Sequence, residues 1–105
     1  MRYIKQFENN NEPKVGDYVV CHENSQNVDS DMNFFLSQNI GKIESIGGQI
    51  ESIYYVEFDY YSIPVKLIEN FDNGNILQFF KNEILFYSYD EEECEIYMYS
   101  NKYNI

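Results

Sequence analysis

From residue 15 onward the chain alternates short runs of β-forming side chains with polar breaks, and nearly every break carries Gly, Asn, Asp or Pro. Gly16-Asp17 supplies a turn, and Tyr18-Val19-Val20-Cys21 follows as a strand with Val19 and Cys21 on one face and Tyr18 and Val20 on the other. Residues 23–31 are polar and read as loop. Ser30 or Asp31 can cap a short helix running to about Gln38, on which Met32, Phe35 and Leu36 form one apolar stripe at i, i+3 and i+4. That stripe is core packing. Gly41 opens a second strand over 42–46, closed by Gly47-Gly48. The clearest alternation is 53–61, with Tyr54, Val56, Phe58 and Tyr60 facing a core and Tyr55, Glu57, Asp59 and Tyr61 facing water. Ile63-Pro64-Val65 reads as an extended edge, 70–75 as a turn cluster around Gly74, and 76–81 as an apolar run without an assigned state. Residues 83–89 read as a strand and Asp90 to Glu93 as an acidic turn. Residues 94–99 read as a further strand, with Cys94, Ile96 and Met98 inward and Glu95, Tyr97 and Tyr99 outward. The last two strands would pair as a hairpin. Residues 1–14, with Tyr3, Ile4 and Phe7 before an Asn-rich stretch and Pro13, read as an arm, either loose or laid along the domain.

Composition sharpens this outline. With 105 residues the chain makes one domain, and 11 Tyr plus 8 Phe favour half-buried pleated surfaces. Eighteen Asp and Glu against seven Lys and Arg give a net charge of −11, which repels phosphate backbones and steers toward basic surfaces. Direct nucleic-acid binding is therefore disfavoured. Cys21 and Cys94 form no CxxC pair, the start lacks a signal-peptide apolar run, and nothing resembles a membrane span. A soluble protein with reduced thiols is expected, away from the membrane.

The order of motifs resembles a known group. Gly16-Asp17-Tyr18-Val19-Val20, then Ile40-Gly41-Lys42-Ile43, Tyr55-Val56-Glu57-Phe58 and Asn82-Glu83-Ile84 together resemble the SH3-like small barrels, which include Tudor-like and KOW-like modules. The likeness covers about residues 15–88. It implies a mainly β fold, a small SH3-like barrel of five or six strands with one short helix. The chain then divides into the arm 1–14 and a single domain 15–105 ending in an acidic C-terminal hairpin. Many such modules that bind nucleic acid carry a basic face, for which this chain has too few cations. More narrowly, Tyr3-Ile4-Lys5-Gln6-Phe7-Glu8-Asn9, Gly-Asp-Tyr-Val and the segment Phe35 to Gly41 resemble short proteins of bacteriophages and other large DNA viruses. That resemblance implies a viral source, and with reduced thiols and no signal-peptide run the expected place is the host cytoplasm. It implies no activity.

Candidate chemistry is sparse. Asp90, Glu91, Glu92, Glu93 and Glu95 are rich in oxygen donors but lack the central Gly of a calcium loop, so the segment reads as a solvated turn. Glu57 and Asp59 would be neighbours on one strand face, yet a glycosidase pair needs a cleft that so small a chain rarely supplies. Cys21 and His22 are adjacent on a strand and point apart. Walker A and GxGxxG sequences are absent. The chain is not read as an enzyme, and no cofactor or metal is expected. What remains is an outward face carrying Tyr55, Tyr61, Tyr97 and Tyr99 among Glu57, Asp59 and Glu95. Tyr gives contact area at low entropy cost, and carboxylates favour Arg and Lys. The expected role is an acidic inhibitor or adaptor that binds the basic surface of a host nucleic-acid-binding protein, such as a defence nuclease. Alternatives are a structural or assembly component of a virus particle, a homo-oligomer built through the aromatic surface, and a single-strand binder that stacks bases.

Overall fold

The computed structural model describes residues 12–23 and 30–103. Five strands form one antiparallel sheet: β1 (Tyr18–Cys21), β2 (Gly41–Gly47), β3 (Ile53–Glu57), β4 (Ile76–Phe80) and β5 (Ile84–Ser88), in the spatial order β4-β3-β2-β1-β5. The first four strands make a meander, and β5 returns to the free side of β1. Two helices, α1 (Ser30–Gln38) and α2 (Glu91–Tyr103), and three 3-10 turns are the other elements among the described residues. The mainly β, small, barrel-like expectation is borne out, with two helices rather than one.

Local chemistry explains most of the elements. Gly16 takes a φ of +95° that an L side chain rarely adopts, and its N–H donates to the Ile43 carbonyl, so the entry turn is tied to β2. The Asp17 carboxylate accepts from the Lys14 N–H at 2.9 Å and closes that turn. The pairing register shifts between Ile43 and Ser45, with Glu44 as the extra residue. It shifts again where Val20 opposes Phe86 and Cys21 opposes Ile84, with Leu85 as the extra residue. Bulges of this kind raise local twist and bend the sheet.

One face of the sheet carries Val19, Ile43, Tyr54, Val56, Leu77 and Phe79, all buried. The α1 stripe Met32, Phe35 and Leu36 packs there, together with Phe58, Ile63, Leu67 and Phe71 from the β3–β4 connection. Phe35, Phe58 and Phe71 meet edge to face, with centroids 5.4 to 6.2 Å apart, the geometry that aromatic quadrupoles prefer. The expected helix at 30–38 and its core stripe are therefore both present.

The C-terminal hairpin is a correction. Residues 91–103 are helical, so 94–99 does not pair with β5. Asp90 caps the helix: its side chain accepts from the Glu92 N–H at 3.0 Å and its carbonyl from the Glu93 N–H at 3.1 Å. Glu93 sits three residues on and accepts from the buried Ser88 hydroxyl at 2.5 Å, while Ser88 Oγ accepts from the Asp90 N–H. Three Glu in the first turn complement the helix dipole. Cys94, Tyr97 and Met98 then lie at i, i+3 and i+4 and face the sheet, while Ile96, expected inside, is 59% exposed.

Smaller differences share a cause. β3 ends at Glu57 because Asp59 turns the backbone, accepting from the Tyr61 N–H at 3.2 Å and the Ser62 hydroxyl at 3.1 Å and opening a 3-10 turn over Tyr60–Ser62. Tyr60 is thereby swung out of the core. Pro64 precedes a 3-10 turn, Val65–Asn70, and is not part of an edge strand. The unassigned run 76–81 supplies β4. Of the N-terminal arm, residues 1–11 lie outside the described residues. Glu12 accepts from the Tyr54 hydroxyl at 3.3 Å and pairs with Lys81 at 3.2 Å, and Pro13 is buried, so 12–14 lie along the body.

Candidate functional site

The outer face of the sheet is divided. Over β1 and β5 it is covered by α2: Val20 is buried there, and Tyr97 stacks on Phe86 with centroids 4.8 Å apart and planes 5° from parallel. Over β2, β3 and β4 it is open and carries Lys42, Tyr55, Glu57 and Gln78, cross-strand neighbours by register. The seven residues expected on one surface are thus distributed over four places. Tyr55 and Glu57 lie on the open half of the sheet. The Tyr55 ring rests over Gly47, where an added Cβ would come within 3.3 Å of it, so much of this ring shields β2 backbone. Glu57 is exposed, with Asn75 Nδ2 at 3.5 Å. Tyr61 stands on the 3-10 turn, 92% exposed, edge-on to Tyr60. Tyr97, expected to face outward, lies on the sheet-facing side of α2, half-buried against Phe86.

Asp59, Glu95 and Tyr99 are brought together. They line a groove of about 450 Å³ between the C-terminal end of α1, the 59–62 turn and one side of α2. Glu91, not singled out in the sequence, joins them. Ile40 and Met98 supply apolar lining, and Ser37, Gln38 and Asn39 supply the α1 side. Lys and Arg are absent among the described lining residues. The partial negative charge of the α1 C-terminus adds to the three carboxylates. Two of its last carbonyls are already engaged, Phe34 O by Ser37 Oγ at 2.7 Å and Phe35 O by Asn39 Nδ2 at 2.9 Å. Among the described residues no group of three or more His, Cys, Asp or Glu could hold a metal ion, so these carboxylates rim a groove and do not converge on a point.

A second depression of about 270 Å³ adjoins the first and shares Ser37, Gln38 and Met98 with it. Val20, Cys21 and Leu85 give it an apolar wall, with His22 and Asn33 at its edge. Asn33 Oδ1 is occupied by the Glu23 N–H at 2.9 Å. Cys21 does not make this a nucleophilic site. Burial, then the nearby Glu83 carboxylate, pushes its thiol well above the ordinary range. Burial and the adjacent Glu93 likewise push Cys94 up to about 12. Both stay as neutral thiols at neutral pH, the opposite of an activated cysteine.

No protein-family model, curated protein or solved structure matches the chain. Among the described residues no helix is long and apolar enough to cross a membrane.

Proposed function

We propose that this protein is a non-catalytic binding module whose acidic groove between α1 and α2 takes a basic element of a protein partner. The observation that carries the reading is the meeting of Asp59 with Glu91 and Glu95, two residues of α2, around a groove with apolar lining and no cation among its described lining residues. Carboxylates spaced along a groove suit guanidinium and ammonium groups, which they bind by charge-assisted hydrogen bonds. The net charge of −11 steers such a partner in from a distance. The two buried, protonated thiols and the dispersed carboxylates favour contact over turnover. On this reading the natural target is the basic, nucleic-acid-binding face of another protein, where the chain stands in for phosphate charge as an inhibitor or adaptor. The resemblance to viral proteins adds a host defence nuclease as one such target.

The test is a charge-neutralised variant, Glu91→Gln with Glu95→Gln, against a labelled Arg-rich peptide in fluorescence polarisation. Both side chains are exposed, so the fold should survive. Wild-type affinity should fall steeply between 50 and about 300 mM salt, and the variant should bind several-fold more weakly with a shallower salt slope. Equal binding by both proteins at every salt concentration would remove the groove from the reading.

A further inference from the structure

The two adjoining depressions differ in chemistry, and that difference selects an occupant more narrowly than charge does. One end is bordered by Asp59, Glu91 and Glu95. The other is walled by Val20 and Leu85, with no carboxylate among its described lining residues. Ser37, Gln38 and Met98 belong to both, so the two ends adjoin. In an extended segment, side chains at i and i+2 point the same way and stand roughly 6–7 Å apart. We infer that the groove accepts a linear segment of a partner protein in extended form, with an Arg or Lys in the acidic end and an apolar side chain two positions away against Leu85 and Val20.

The inference rests on the proposed function and names what the partner must present. Charge alone would let any basic patch bind. The apolar end adds a requirement that simple polycations do not meet, and because the ends adjoin, the two side chains must be near neighbours on the segment. Met98 suits the shared wall because its unbranched thioether adapts to either neighbour.

The probe is the peptide acetyl-Ala-Arg-Ala-Leu-Ala-amide, titrated into ¹⁵N-labelled protein and followed by amide shifts. Controls replace its Arg by Gln, its Leu by Ser, or move Leu next to Arg. Shifts should map to Ser37, Gln38, Glu95 and Met98. Losing Arg should weaken binding about tenfold, and losing or moving Leu by about three- to tenfold. On the protein side, Leu85→Glu should abolish the preference for Leu while leaving Arg dependence intact. Leu85 is 41% exposed, so this variant should fold, and retained dispersion of the amide spectrum checks it. If Arg matters but Leu and Leu85→Glu do not, the two-part groove is wrong and the basic-partner reading stands. If shifts fall on the open face around Tyr55 and Glu57, the groove assignment is wrong. If no peptide containing Arg perturbs the spectrum at millimolar concentration, both readings fail.

Discussion

Replacing Tyr97 by Ala separates packing from recognition. The ring is half-buried and stacked on Phe86, between α2 and the outer face of β5. Truncating a fully buried aromatic side chain to Ala costs about 3–5 kcal/mol, and half-burial scales that to roughly 2 kcal/mol. For a domain of this size each kcal/mol moves Tm by about 4–8 °C, so the midpoint should drop by roughly 8–16 °C. Urea unfolding followed by far-ultraviolet circular dichroism measures the loss directly. A double-mutant cycle with Phe86→Leu and Tyr97→Leu should show a coupling of about 0.5–1.5 kcal/mol, the range for aromatic pairs beyond their buried area. A loss below about 0.5 kcal/mol, the level of an ordinary surface change, would refute the docking of α2 through this stack. Loss of partner binding at unchanged stability would return Tyr97 to the contact surface.

Three further outcomes are expected. Gly41→Ala should destabilise by at least about 1–3 kcal/mol in thermal melts, because its Cβ would collide with Val56 Cγ1 and lie 2.9 Å from the Phe58 ring; a neutral effect would mean that this strand crossing is looser than described. Asp90→Ala should cost about 1 kcal/mol and lower the helical signal, whereas Asp90→Asn or Asp90→Ser should keep most of both. Stability should also fall as pH rises from about 9 toward 12. The Cys94 thiol, pushed up to about 12, keeps its proton in the fold while the unfolded thiol loses it near 8.5, and Tyr54 and Tyr87, both raised chiefly by burial, act in the same direction. Urea midpoints at pH 7.5, 9 and 10.5 test this, and a flat or rising series would contradict it.

The strands 18–21 and 53–57 and the helix 30–38 were legible because local periodicity and final burial agree there. Tyr54, Val56, Phe58, Met32, Phe35 and Leu36 are inside by either criterion. Residues 94–98 were ambiguous because Cys94 and Met98 fit both a two-residue and a helical repeat. Only Ile96 against Tyr97 distinguishes them, and that choice depends on the Phe86 ring. A signal is present in Asp90 followed three residues later by Glu93, a helix-capping pattern that the acidic run around it disguises as a solvated turn. The end of β3 was hidden differently. Phe58 stays buried although the strand has ended, because Asp59 bends the chain with its own side chain. Three of the seven expected contact residues meet in the groove. Tyr55 and Glu57 lie on the open half of the sheet, and Tyr61 and Tyr97, though carried on segments that border the groove, are not among its lining residues; the groove joins 37–40, 59–62 and 91–99, which topology alone brings together.

The covering of β1 on its second side has a bearing on how the molecule is made. A nascent chain that has emerged as far as residue 90 already holds every strand, yet Val20 and Phe86 still face water. Only when 94–98 follow does β1 lose contact with solvent on both faces. The helix that covers this half of the sheet also supplies one bank of the groove, so an occupant gripping Glu95 and Met98 would hold that helix in place and stabilise the folded state.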